Sequence, residues 1–90
     1  MDDKERNIAR GQRAAELLGN ELFKEAVSAV REGLFNGWAE TGPEEQDARE
    51  AYYIGLDMLE RIERALQAVV NRGKFEADAL KREKAERPDA

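Results

Sequence analysis

Residues 43–73 read PEEQDAREAYYIGLDMLERIERALQAVVNRG, and this stretch decides the fold. Within it Tyr52, Gly55, Leu59, Ile62, Leu66 and Val69 step by three and four in alternation. That spacing is the a/d seam of a helix lying against one other helix. Pro43 suits a first helical position, where a missing N–H is no loss. Glu44, Glu45 and Asp47 follow it, where the helix dipole favours anions. Glu45–Arg49, Asp57–Arg61 and Glu60–Arg64 are i,i+4 pairs in the favourable order. Gly73 reads as the residue that ends the helix after Arg72.

Upstream, Asn20 is a good N-cap for a second segment. Its apolar positions Phe23, Val27, Val30, Leu34 and Trp38 step by four, three, four and four. Ala26, Gly33 and Gly37 flank this stripe on one side, and residues so small admit a neighbouring helix closely. The segment should end near Glu40, with Thr41-Gly42-Pro43 as the link. Before it, Asp3 to Leu18 predicts a short helix capped by Asp2 or Asp3, with a thin stripe of Ile8, Ala15 and Leu18. Gly11 should weaken its middle, and Gly19 should close it in the left-handed conformation. After Gly73, the residues Phe75, Ala79 and Leu80 predict one or two further turns. From Lys81 onward the chain is charged and carries Pro88, which predicts a frayed tail. No run alternates with the period of a half-buried strand. The expected architecture is therefore all-α. An antiparallel hairpin of about 20–40 and 43–72 carries a short N-terminal helix and a charged C-terminal tail. Residues 1–80 form one domain, and residues 81–90 form a flexible extension.

Composition narrows the function. The 90 residues include no Cys and no His, so disulfides, thiolate chemistry and the commonest metal ligand and general base are missing. A di-iron reading of the Glu-rich helices fails, because such sites use Glu-x-x-His pairs. Ser28 has no base, and no glycine-rich loop joins a strand to a helix. We therefore expect no enzyme activity, no cofactor and no metal. A charged fraction of 39% with net charge −5 argues against nonspecific nucleic-acid binding. The tail Lys81-Arg82-Glu83-Lys84 is basic but interrupted and lacks aromatic interleaving, which reads as solvated rather than as a nucleic-acid contact. No apolar run approaches the roughly 20 residues of a membrane span. The charged start Met1-Asp2-Asp3-Lys4-Glu5-Arg6 is not that of a signal peptide, so the expected location is cytoplasmic.

What remains is binding to protein. Ile54, Met58 and Ala65 form a second apolar strip beside the seam, making an apolar arc wider than one neighbouring helix needs. Either the first segment or another chain must cover it, and the first segment has few apolar residues to offer. Phe35 lies about 120° from the centre of the second segment's stripe, at 100° per residue, among Lys24, Ser28 and Arg31. That makes it a candidate contact. Trp38 stands at the tip of the hairpin, either as a partner's anchor or as a cap on the core. Tyr53 points toward charged residues. Chains this small often gain stability by pairing with copies of themselves, so a homo-oligomer is expected.

The order of landmarks carries a further indication. Ala14-Ala15-Glu16-Leu17-Leu18 and Leu22-Phe23-Lys24-Glu25-Ala26 are followed by Trp38 and an acidic Pro-containing link. Arg49-Glu50 and a leucine seam ending in Asn71-Arg72-Gly73-Lys74 complete the pattern. This layout resembles small α-helical proteins of tailed-phage and prophage head and packaging gene clusters. The resemblance spans about residues 10 to 75. It implies a self-associating virion component or assembly factor in the host cytoplasm. Its partners would be other copies or other phage or host proteins. It carries no site residues across. An inhibitor of a host enzyme or defence system is the alternative, since carboxylate clusters suit basic nucleic-acid channels. A small terminase-like DNA-packaging subunit is a third, and it would need a basic face that the sequence does not display. A Trp near a helical turn also resembles the small secreted WXG-type dimers, but Trp38-Ala39-Glu40 lacks their Trp-x-Gly spacing.

Overall fold

A computed structural model describes residues 2–86, and these form three helices: α1 (Asp3–Gly19), α2 (Glu21–Glu40) and α3 (Gln46–Glu86). The chain is all-helical, as its periodicity requires, and no strand occurs among the described residues.

The helix starts follow the capping chemistry in the sequence. Asp2 Oδ1 accepts from the Glu5 amide at 2.8 Å, and Asn20 Oδ1 accepts from the Phe23 amide at 2.9 Å. Each satisfies an amide that has no partner inside its helix. Gly19 is the last residue of α1 rather than a left-handed cap, and no glycine among the described residues has a positive φ. The Asn20 cap begins the next helix directly, so no left-handed residue is needed.

Two boundaries of α3 differ from expectation. It starts at Gln46, not Pro43, because Gly42 to Glu45 form a turn with the Glu45 amide donating to the Gly42 carbonyl at 3.0 Å. Pro43 sits inside that turn, where its fixed φ is equally at home. The Glu45 carboxylate reaches back to accept from the Gly42 amide at 3.1 Å. At the other end α3 does not stop at Arg72. It passes through Gly73, Phe75 and Lys81 to Glu86, in place of the frayed tail expected from Lys81. Residues 87–90 of that tail lie outside the described residues.

The chain divides into two compact units. One joins the residues up to Leu18 with those from Ala65 onward, and the other is Gly19–Arg64. In the first, α1 lies antiparallel on the C-terminal half of α3. Gly11 meets Gly73, and Lys4 Nζ lies 3.6 Å from Glu83 Oε2. A Cβ on Gly73 would stand 2.9 Å from the Gly11 Cα and 3.0 Å from the Asn7 carbonyl oxygen. These glycines let two backbones touch, and that role explains why Gly73 is buried inside a helix rather than ending one. Ala14 and Val70 are buried beside the crossing. Glu76 is buried too, with its carboxylate 3.2 Å from Arg72 Nε.

In the second unit α2 and the first half of α3 run in opposite directions, side by side. Tyr52 lies on Gly37 and Leu34 lies on Gly55. Arg31 pairs with Glu63. This differs in part from the expected seam. Tyr52, Gly55 and Leu59 are half-buried as expected, but Ile62 is 55% exposed and Val30 52% exposed, while Leu56 and Glu63, outside the expected seam, are half-buried. A straight helix of 3.6 residues per turn drifts about 20° per heptad from an a/d line. The half-buried Tyr52, Leu56 and Leu59 centre the inner face of α3 on the Glu63 side of Gly55, and the drift takes Ile62 further off it. Of the three i,i+4 pairs, Asp57–Arg61 forms at 2.9 Å. Glu45 and Arg49 are both engaged in the link instead.

Candidate interaction surface

No residue of α2 is buried, and no large side chain is fully buried among the described residues. A pair of helices has one contact line, and everything off that line remains open.

Within Gly19–Arg64 the open surface has two unlike sides. Leu34 on Gly55 and Tyr52 on Gly37 set the phase of each helix, and 100° per residue places the rest. One side carries Leu22, Ala26, Ala29, Val30 and Gly33 from α2. It also carries Ala51, Ile54, Met58 and Ile62 from α3. None of these residues is charged. Leu22 is 73% exposed, and Ile54, Met58 and Ile62 are 51–55% exposed. Among the described residues nothing lies within 4 Å of where a Gly33 Cβ would stand. Arg61, held by Asp57, marks the edge of this side.

The opposite side is polar. Ser28, Arg31, Glu32, Phe35, Leu56 and Glu60 line a shallow groove there, and Phe35 is 53% exposed. Tyr53 is exposed.

The five residues singled out from sequence thus fall into three places. Ile54 and Met58 share the uncharged side. Phe35 and Trp38 lie toward the polar side, their rings 6.0 Å apart. Ala65 is exposed but belongs to the other unit. Sequence reading missed Leu22 as an open position, and it placed Val30 and Ile62 in the contact line. The spacing of Leu22, Ala26, Ala29 and Gly33 held the signal, since all four fall on one helix face.

Trp38 is half-buried and built into the link. The Arg49 guanidinium lies over its ring, 4.4 Å from the centroid. The Trp38 carbonyl accepts from the Thr41 hydroxyl at 2.6 Å and from the Thr41 amide at 3.1 Å. Arg49 Nη1 in turn donates to Thr41 Oγ1 at 2.9 Å and to the Thr41 carbonyl at 3.2 Å. The ring therefore ends the contact line, and Arg49 covers it. Arg49→Ala should cost about 1–2 kcal/mol, from the lost cation–π contact and charge-assisted hydrogen bonds. The chain has one Trp, so fluorescence reports this site alone. We expect emission to shift to longer wavelength and quenching by iodide to rise. Unchanged emission would contradict the covering role.

Among the described residues no group of three or more Asp or Glu is placed to hold a metal ion. No helix among them is long and apolar enough to cross a membrane. Compared with known protein families, curated proteins and solved structures, the chain matches none.

Proposed function

We propose that this chain is a non-enzymatic accessory protein of the tailed-phage type, contributing to head or packaging assembly by packing helices against other protein chains. The observation that carries the reading is the uncharged apolar side of the helical hairpin formed by α2 and the first half of α3. Contiguous apolar surface rimmed by polar residues is a feature of interaction sites. The resemblance of the chain's layout to small helical proteins of phage head and packaging clusters suggests the setting. In that setting the protein acts in the host cytoplasm, free or as part of a particle, without cofactor or metal.

The test is affinity purification of the tagged chain from its native host during particle production. Recovery of head, portal or terminase proteins with the parent chain, lost with Met58→Asp, is the expected result. A stoichiometric host nuclease or polymerase in their place would replace this reading with enzyme inhibition.

A further inference from the structure

The uncharged side of the hairpin raises the question of what occupies it. Resting on the reading above, we propose that it is a second copy of this chain. The two hairpins pair about a twofold axis parallel to their helices, so that α3 of each lies on α2 of the other.

Three features of the side lead to this arrangement. First, it tolerates its own image. The chain has net charge −5, so most faces of two copies repel. From Leu22 to Gly33 and from Ala51 to Ile62, the one ionisable group this side brings near itself is Arg61 at its edge, and Asp57 pairs with it.

Second, the two helices present unlike reliefs. The α3 half is bulky, with Ile54, Met58 and Ile62 each about half exposed. From Ala26 to Gly33 the α2 half is shallow, with Ala26, Ala29, Val30 and Gly33, and the bulky Leu22 stands one turn before it. A twofold axis across the helices would stack bulk on bulk and leave the shallow halves apart. An axis along the helices sets each bulky row on a shallow one.

Third, the levels match. Leu34 against Gly55 and Gly37 against Tyr52 fix how far along the hairpin each residue stands. On that scale Ile54 falls between Gly33 and Gly37, Met58 between Val30 and Gly33, and Ile62 between Ala26 and Val30. An axis along the helices preserves these levels. Each bulky side chain of one copy then meets a gap between smaller residues of the other, as knobs fill holes in a four-helix bundle.

The test uses the full chain. Sedimentation equilibrium at micromolar concentration should give twice the mass of 10.2 kDa. Gly33→Glu should return the mass to one chain without loss of helix content. A side chain at that position meets nothing within its own molecule among the described residues, and glutamate favours helix over glycine. Ser28→Glu, on the polar side, should leave the dimer intact. The chain has no Cys, so introduced cysteines report contacts directly. An equal mixture of Gly33→Cys and Met58→Cys chains should give the mixed disulfide in preference to either like pair.

A monomeric parent, a dimeric Gly33→Glu chain or preferential Met58→Cys self-linkage would each overturn the proposal. A monomer that still purifies with head and packaging proteins ends the self-pairing and leaves the accessory role standing. A dimer that purifies with none of them does the reverse.

Discussion

Replacing Gly73 with alanine should lower stability by about 2 kcal/mol, and with leucine by about 3 kcal/mol or more. Two terms oppose each other. Alanine favours a helix over glycine by about 1 kcal/mol, so a surface glycine in mid-helix would gain from the change. At Gly73, however, the added Cβ would stand 2.9 Å from the Gly11 Cα and 3.0 Å from the Asn7 carbonyl oxygen. Ordinary carbon contacts lie at about 3.5–4.0 Å. The obstructing atoms are backbone, and backbone does not swing aside as a side-chain tip does. α1 must therefore lift away from α3, and the contacts around Ala14 and Val70 loosen with it. Gly19→Ala is the matched control. Among the described residues nothing lies within 4 Å of its new methyl, and its backbone is already helical. It should stabilise by a little under 1 kcal/mol. Thermal melts followed by circular dichroism would read both. The Gly73→Leu spectrum should also lose helix signal on the scale of the 17 residues of α1. A Gly73→Ala chain that melts above the parent would refute the backbone crossing.

Tyr52→Ala should cost about 2 kcal/mol. Full truncation of a buried aromatic costs about 3–5 kcal/mol, and Tyr52 is half-buried, so roughly half applies. Its ring occupies the space where a Gly37 Cβ would point, 2.5 Å from that position at the nearest ring carbon. The ring thus closes the end of the contact line next to Trp38 and the link. Tyr52→Phe keeps the ring and should stay within about 0.5 kcal/mol of the parent. Gly37→Ala gains helix preference but must push the ring out. Because a ring can swing, we expect a smaller loss there than at Gly73. Urea titration of the set gives the order. Tyr52→Ala unfolding at the parent's midpoint would show that the ring does not hold the two helices together.

Much of the fold is written locally. The three- and four-residue steps in residues 20–72 require helices, and Asp2 and Asn20 stand where α1 and α2 need acceptors for free amides. Thr41 ends α2 next to Glu40 as its position suggests. These features depend on neighbours within a turn or two, which is the range over which sequence alone carries physical information. The open strip was also legible in part. Ile54 and Met58 lie outside any contact line drawn through Leu59 and Leu66, and both are exposed.

Other features were decided only when helices met. Glycine is one residue type with several uses, and what stands opposite it selects among them. Gly73 carries the helix through instead of ending it because Gly11 lies against it. Gly11, read in isolation as a weakness, is the other half of that contact. Ile62 and Glu63 exchanged roles because the phase of α3 against α2 is set where Tyr52 meets Gly37 and Leu34 meets Gly55, and no local rule gives that phase. The chain determined by itself that it would be helical and where most helices begin. Which glycines touch, which side of each helix turns inward and which apolar side stays open followed from packing. Packing depends on residues far apart in the chain, and their distances exist only in the folded molecule.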